Sequence, residues 1–205
     1  EEFPPKTVDL STELLRMQSK GVEYVFLQVL PSTIVTALKN ADRINYKPQF
    51  FGTWTSTDPD FFKLGQGVIK DRLAIQFPGG VPADNSQGIK IMQELWKRYK
   101  TVNDFDAAYW EGVSIAMIME RAFVRAQEKY KVVNPVTINK AMESFRNENF
   151  WGLIPPVTYT AKDHGASFTA RIVRVGEDGS FTPLTNFYVP GKEKIKLIQG
   201  KSKGK

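Results

Sequence analysis

Two threonines flank a tryptophan in the stretch GTWTS, where Thr53, Trp54 and Thr55 follow a short apolar segment. The apolar segment predicts a buried strand, so these three residues form the loop at its carboxyl end. Open parallel sheets bind ligands at the carboxyl ends of their strands. Hydroxyls donate and accept hydrogen bonds, and an indole packs against a flat molecule. The loop therefore predicts a site for a small organic ligand, and a packing role for Trp54 is the open alternative.

Polar and aromatic side chains also follow the two neighbouring strands predicted in this half of the chain. Gln28 and Ser32 lie at the end of the strand 23–30, and Phe77 ends the strand in GVIKDRLAIQF. Since the carboxyl ends of parallel strands meet at one edge of a sheet, we expect these side chains to surround one crevice. An amide, hydroxyls and aromatic rings suit a small organic molecule with one polar end.

The residues needed for common catalytic chemistry are missing from the sequence. His164 is the single histidine and lies in the predicted turn TAKDHGAS, where we expect a structural role. A histidine-based metal cluster is therefore excluded, and a Ser-His-Asp triad would have to use this residue. Cysteine is absent, which excludes thiol catalysis, thiolate metal sites and disulfides. Nucleotide-binding glycine motifs and G-x-S-x-G are absent as well. We expect no enzymatic activity, no metal and no cofactor.

The composition is ordinary for a folded globular protein of one medium domain or two small ones, with 205 residues of which 41% are hydrophobic. The net charge of +6 comes mostly from the tail KEKIKLIQGKSKGK, which we expect to be solvated and partly disordered. A weak contact of this tail with an anionic surface is the alternative. Lys and Arg do not cluster with aromatics elsewhere, so nucleic acid is not an expected partner. The acidic start EEFPPKTVDL is not typical of a signal peptide and suits a mature or truncated chain.

Helical and strand patterns alternate over the first 77 residues. Helices are predicted in DLSTELLRMQSKG, in PSTIVTALKNADRIN with Ser32 as a capping residue, and at 58–64. Strands are predicted at 23–30, in QFFGTW and in GVIKDRLAIQF. The strand 23–30 is almost continuously apolar, which predicts burial on both faces. The alternation predicts an α/β fold with βαβ units and a parallel sheet flanked by helices.

Helices dominate the middle of the chain, and a β-hairpin closes it. Helices are predicted at about 89–99, over about 104–130, and from Asn134-Pro135 onward. The strands FTARIVRV and FTPLTNFYV flank the turn signal Asp178-Gly179. Between the two halves, QFPGGVP at 76–82 is the best hinge candidate, because its glycines add backbone freedom and its prolines restrict the range. An ordinary connecting loop is the alternative.

The order of these elements resembles the extracellular solute-binding proteins of ABC transporters, in particular the branched-chain amino-acid-binding family with the type I periplasmic binding fold. Three stretches carry the resemblance and cover nearly the whole chain. They are DLSTELLRMQSKGVEYVFLQVLPSTIVTALKNADRINYKPQFFG for the second lobe, YWEGVSIAMIMERAFVRA for the long helix of the first lobe, and GLIPPVTYTAKDHGASFTARIVRVGEDGSFTPLTNF for the closing hairpin region. Each stretch alone is a weak pattern, whereas their order is specific.

The resemblance implies a two-lobed fold whose N-terminal part is missing here, since proteins of that family are longer. Residues 1–76 and 168–205 would form part of the second lobe. Residues 77–167 would form a mostly helical portion of the first lobe, with 76–82 as hinge and crossover. An incomplete first lobe would leave apolar helix faces exposed unless another chain covers them.

The function that the resemblance implies is the capture of a solute between two closing lobes for delivery to a membrane permease. The implied location is periplasmic or extracellular, with a signal peptide removed or absent. The implied partners are a small-molecule ligand, the permease of an ABC transporter and, as a further candidate, the N-terminal fragment of the same fold.

The resemblance also implies which residues contact the ligand, because the loop after the FFG-like strand faces the cleft in that family. The implied contacts are Thr53, Trp54 and Thr55 in this loop, with Tyr109 and Trp110 across the cleft. Amino-acid binders commonly carry an acidic residue in the loop, and this chain has none before Asp58. A buried ammonium without a countercharge is costly. An aromatic or aliphatic carboxylate or a neutral amide is therefore favoured over an α-amino acid.

Two other classes of protein remain open on the sequence. The first is a ligand-sensing regulatory domain or receptor ectodomain with the same fold, which an upstream signal peptide would help to distinguish from a transport protein. The second is an α/β enzyme whose catalytic motif lies in an absent N-terminal segment. Fold alone does not decide among these functions.

Overall fold

Helices and strands alternate up to residue 77 in the computed structural model, which describes residues 7–99, 105–167 and 169–188. The helices are α1 (Ser11–Ser19), α2 (Pro31–Arg43), α3 (Pro59–Gly65), α4 (Gln87–Tyr99), α5 (Ala107–Tyr130) and α6 (Pro135–Met142). The strands are β1 (Tyr24–Phe26), β2 (Gln49–Thr53), β3 (Leu73–Phe77), β4 (Arg171–Val175) and β5 (Phe181–Pro183). Short 3-10 turns at Trp54–Ser56 and Pro82–Asp84 follow β2 and β3. The lysine-rich tail lies outside the described residues.

The strands form one five-stranded sheet in the order β1-β2-β3-β4-β5. β1, β2 and β3 run parallel, whereas β4 pairs antiparallel with β3 and β5 pairs antiparallel with β4. The two crossovers through α2 and α3 advance in the same direction across the sheet. Right-handed crossovers of this kind place both helices on the same face. The predicted class, an α/β fold with a mostly parallel sheet flanked by helices, is confirmed.

The first strand differs from its prediction in length and in burial. β1 has three residues, compared with the predicted range 23–30. Val25 is buried, but Tyr24 and Phe26 are 67% and 61% exposed. β1 is the edge strand, and Val25 belongs to the same apolar cluster as Ile34 of α2. The prediction that this strand is buried on both faces is therefore wrong for the described residues, because only one of its faces is packed.

Most helix starts follow signals that are local in the sequence. The Asn134 side chain accepts a hydrogen bond from the Thr137 amide at 3.0 Å, and Pro135 is the first residue of α6, as predicted. Asp58 caps α3 by accepting from the Phe61 amide at 2.6 Å. The predicted cap by Ser32 is wrong, because α2 already begins at Pro31 and Ser32 lies inside its first turn.

Two apolar clusters stabilise the fold. The larger cluster joins the sheet and α1–α3 to the start of α5, and it also includes Val81, Ile89 and Leu153. The smaller cluster lies between α5 and the segment after α6, and its buried members are Ala122, Phe145, Phe150 and Val157. Phe77 and Trp110 belong to the larger cluster, with ring centroids 4.8 Å apart. The N-terminal end of α5 is therefore packed against the end of β3.

The long helix α5 carries apolar side chains both inward and outward. Ala122 and Ala126 are fully buried, whereas Ile115, Phe123 and Val124 are 54%, 41% and 43% exposed. None of the helices within the described ranges is long and apolar enough to cross a membrane. These exposed side chains lie on more than one side of the helix, and the expectation of an uncovered helix face stays a prediction.

The glycines of the hinge candidate have a different role from the one predicted. Gly79 and Gly80 are buried, and a Cβ atom on Gly79 would collide with the indole of Trp110. The Gly80 amide donates a hydrogen bond to the Leu153 carbonyl at 2.8 Å. These glycines allow close packing, so their value here is small size rather than backbone freedom. The hinge itself stays a prediction.

Candidate functional site

The loop after β2 is a tight turn in which Ser56 has a structural role and the hydroxyls of Thr53 and Thr55 remain available to a ligand. The Thr53 amide donates to the Ser56 hydroxyl at 3.0 Å, which closes the 3-10 turn. Ser56 is fully buried, and a Cβ atom on Gly52 would collide with its hydroxyl. The hydroxyls of Thr53 and Thr55 lie 2.8 Å apart. This pair can still donate one hydrogen bond and accept others, so it is available to a ligand.

Trp54 is partly buried and lies next to Trp110, which was also predicted as a site residue, as was Phe77. Its ring is 6.5 Å from that of Trp110, in an edge arrangement with an angle of 63°. Trp110 is 5% exposed and donates its indole N–H to the Leu153 carbonyl at 3.0 Å. Phe77 is fully buried. Trp110 therefore packs against Trp54, and Phe77 packs against Trp110. The contact of Phe77 and Trp110 with a ligand stays a prediction.

Tyr109 packs at the start of α5 beside Trp96 of α4, which is not among the predicted site residues. Its ring lies 6.1 Å from that of Trp96 on α4. Asp106 begins α5 by accepting hydrogen bonds from the amides of Ala108 and Tyr109. Trp96 occurs at helical spacing with Ile89 and Met92, so its pattern indicated core packing. The pairing with Tyr109 depends on the α4–α5 connection, which carries no local signal.

Gln28 and Ser32 are exposed near the carboxyl end of β1. Gln28 lines an open apolar groove between α1 and β1, together with Leu14 and Met17. The structure therefore places Gln28 at the free edge of the sheet. Ser32 lies in the first turn of α2, where its carbonyl accepts from the Thr36 hydroxyl at 3.1 Å. The joint action of these residues with the Thr53–Thr55 loop stays a prediction.

The first carboxylate after the loop and the last carboxylate before Tyr109 both lie at helix starts, whereas Glu111 follows Tyr109 inside α5. Asp58 caps α3, and Asp106 caps α5. Each carboxylate is held by backbone amides, as expected for an N-cap. Each cap uses the Oδ1 atom, so a ligand ammonium would avoid competition with these amides only at the Oδ2 atom. The Thr53–Thr55 loop itself therefore offers hydroxyls and aromatic surface rather than charge.

His164 lies on the surface, outside the Thr53–Thr55 loop. It takes part in a polar contact with Glu143, the residue that follows α6. Its Nε2 atom is 3.1 Å from the Glu143 carboxylate, which also accepts from the Asn139 side chain at 3.0 Å. The His164 side chain is 62% exposed. Within the described residues, no group of three or more histidines and carboxylates is arranged to hold a metal ion.

The chain belongs to the periplasmic binding protein family, whose model matches residues 1–180. Proteins of this family are typically non-catalytic. No curated protein matches the chain in a sequence search.

Solved structures with the same fold include several binding proteins of ABC transporters. One is a branched-chain amino-acid ABC transporter protein from Thermus thermophilus with bound valine, with a TM-score of 0.83 and 21% identity. A fatty acid ABC transporter substrate-binding protein from Thermomonospora curvata gives a TM-score of 0.80 at 18% identity. A leucine-binding protein from Thermotoga maritima gives 0.69 at 15% identity.

The match covers nearly all of this chain but about half of each solved structure. The aligned shares are 98% of this chain and 54% of the Thermus thermophilus chain, 94% and 50% for the Thermomonospora curvata chain, and 92% and 51% for the Thermotoga maritima chain. The expected resemblance to the branched-chain amino-acid-binding fold is confirmed, and so is the expectation that the chain matches only part of it.

Proposed function

We propose that this protein is the ligand-binding component of an ABC transporter and captures a small organic molecule between two closing lobes. The observation that carries the proposal is the Thr53–Thr55 turn, which presents two adjacent hydroxyls and a partly exposed indole. It lies at the carboxyl end of a central parallel strand, where α/β folds bind ligands. Membership of the periplasmic binding protein family supports a binding role.

The ligand we favour is an aromatic or aliphatic carboxylate, or an amide. Asp58 and Asp106 are already held by backbone amides at helix starts, and the Thr53–Thr55 loop carries no charge of its own to face an ammonium. Trp54 supplies apolar surface and the threonines supply hydrogen bonds, which suits a molecule with one polar end. The related structures are described with bound valine and as a fatty acid transporter protein, so an amino acid is the second candidate ligand.

We infer that residues 1–76 and 168–205 belong to one lobe and that 77–167 belong to the other, with 76–82 as the crossover. The single sheet formed by β1–β5 supports the first group, because β4 and β5 return to the edge of β3. The smaller apolar cluster around Phe145 and Phe150 supports a separate packing unit in the second group. Closure of the lobes would be driven by tighter binding of the ligand to the closed form.

We further infer that the N-terminal half of the same fold covers two surfaces that are open here. One is the edge strand β1 with the exposed Tyr24 and Phe26, and the other is the side of α5 that carries Ile115 and Phe123. Exposed apolar patches of this kind mark contacts with other protein segments. The match to about half of the solved structure supports a missing segment of about equal length. A periplasmic or extracellular location and a membrane permease as partner follow from the proposed transport role.

The experiment that tests the site is ligand binding by Trp54→Ala, measured by isothermal titration calorimetry with valine, benzoate and octanoate as probes. Loss of an aromatic anchor should weaken binding by about 1–3 kcal/mol, or roughly fivefold to 150-fold. His164→Ala is the control, because His164 lies in a separate surface contact. Equal affinity of the Trp54 variant and the wild type would remove Trp54 from the site.

A further inference from the structure

An ion pair connects the two chain segments that run between the proposed lobes. Here 78–86 is called the first crossover and 169–175 the second crossover. Arg171 is the first residue of β4, and Asp84 ends the 3-10 turn that follows β3. The guanidinium is bidentate: Nη1 donates to Oδ1 at 2.9 Å, and Nη2 donates to Oδ2. We propose that the Asp84–Arg171 pair couples the two crossovers so that they bend as one unit, an inference that rests on the proposed function and its hinge.

The pair is built for a persistent contact rather than a surface encounter. The Arg171 side chain is 5% exposed, and its guanidinium lies 4.5 Å from the ring centroid of Phe187. A buried guanidinium requires a paired charge, and the parallel fork of two hydrogen bonds fixes its orientation. Burial raises the pKa of Asp84, but hydrogen bonds from Arg171 and the Val81 amide outweigh it and hold the pKa below its ordinary value. Asp84 therefore stays ionised at neutral pH.

The hydrogen bonds of the pair join backbone on both sides. Asp84 Oδ2 accepts from the Val81 amide at 2.8 Å, which fixes the carboxylate to the first crossover. Arg171 pairs with Phe77 in the antiparallel register of β3 and β4. The pair therefore closes a ring from the end of β3 through the 3-10 turn to β4 and back. Rotation of the turn relative to β3 must displace Arg171 or break the fork.

The first crossover is also held from its other side. Gly79 contacts Trp110 so closely that a Cβ atom would collide with the indole, and the Gly80 amide donates to Leu153. Trp110 in turn contacts Trp54 of the candidate ligand loop. Movement of this crossover is therefore linked to α5 on one side and, through Asp84, to β4 on the other.

Amide hydrogen exchange tests the coupling directly in this chain, without a ligand. The double variant Asp84→Asn/Arg171→Met removes both charges, so neither is left buried alone. We expect exchange to rise at least tenfold in both segments, 78–86 and 169–175, at temperatures well below the unfolding midpoint. Amides of β2, which lies outside both segments, should be unchanged.

A second ion pair of similar burial supplies a matched control. Arg72 contacts Asp42 at 2.9 Å, with side-chain exposures of 13% and 28%, and precedes the start of β3, at the opposite end of that strand from Phe77. Asp42→Asn/Arg72→Met should leave exchange in 78–86 and 169–175 at the wild-type rate. Arg171→Lys, which keeps the charge but loses the fork, should give a smaller rise that again affects both segments. This variant carries the comparison if the double variant does not fold.

Three results would overturn the coupling: no change in either segment, a rise in only one of them, or an equal rise in β2. The last result would assign the pair a general role in stability. Exchange does not depend on ligand binding, so this inference and the proposed function fail separately. Loss of the Trp54 effect would remove the proposed site while the paired exchange response stands.

Discussion

Trp54 and Trp110 are both predicted site residues, but they have opposite roles in this fold. Trp110 is buried and satisfies its indole N–H with the Leu153 carbonyl, so it stabilises the junction between α5 and the following segments. Trp54 is partly exposed beside a pair of threonine hydroxyls. Its loop position was predictable from sequence, because the strand and the turn are both local patterns. The burial of Trp110 and Phe77 was not, because it results from contacts between segments far apart in the chain.

Glu148 gives a pH dependence that can be measured on single variants. Burial raises the pKa of its carboxyl, but hydrogen bonds and charge from Arg125 and Arg121 outweigh burial and hold the pKa below its ordinary value. A lowered folded-state pKa means stability that is fully present above the unfolded-state value and is lost as pH falls through the folded-state value. Both arginines project from α5, so the interaction connects this helix to the segment after α6.

We expect Glu148→Gln to lower the free energy of unfolding by about 1–2 kcal/mol at pH 7, as for loss of hydrogen bonds to a charged group. At pH values below the folded-state pKa of Glu148, the difference from the wild type should nearly vanish, because the wild-type carboxyl is then neutral too. Urea unfolding at pH 7 and at stepwise lower pH, until the difference stops changing, measures both values. A difference that stays constant over this range would contradict a charge-based role.

The first crossover shows how one sequence feature can be consistent with two physical explanations. Pro and Gly in QFPGGVP predict an irregular connection, and the chain does connect β3 to α4 there. The sequence suggested backbone freedom for Gly79 and Gly80, whereas in the structure their lack of a side chain allows contact with Trp110 and Leu153.

Helix starts at Asp58 and Asn134 were predictable, since a cap needs only its own next three residues. The exposure of one face of β1 was not predictable, because an apolar strand sequence does not indicate which face is packed.

Gly79→Ala tests the packing explanation. The new Cβ atom would overlap the Trp110 ring, and overpacking of this kind costs about 1–3 kcal/mol of unfolding free energy. Gly112→Ala is the matched control, since a Cβ atom at Gly112 would have no neighbour within 4 Å. In the middle of α5, that change should stabilise the protein by up to about 1 kcal/mol through helix propensity.

Urea unfolding compares the two glycine variants with the wild type under one set of conditions. The packing explanation requires opposite signs, with Gly79→Ala less stable and Gly112→Ala more stable. Full stability of Gly79→Ala would show that the crossover yields easily and would return the glycines to the role of flexible hinge residues.

The molecule as a whole has the fold of about half of a type I periplasmic binding protein, and it exposes apolar side chains on β1 and α5. The helices of the crossovers lie on one face of the sheet, and α5 exposes several apolar side chains. The fold class and the family resemblance were predictable because the order of βαβ units is written along the chain. The ligand was not, because binding in a cleft depends on side chains from both sides of it.

Native mass spectrometry of the purified protein tests the binding role most directly, with a denaturing spectrum beside it and valine, benzoate and octanoate as added probes. We expect the chain to retain one small organic molecule, in a complex with a second polypeptide that supplies the other half of the fold, and we expect Trp54→Ala to lose that molecule. A bare 23.2 kDa chain that binds none of the probes, or a molecule that Trp54→Ala retains equally well, would contradict the proposed site and its role in solute capture.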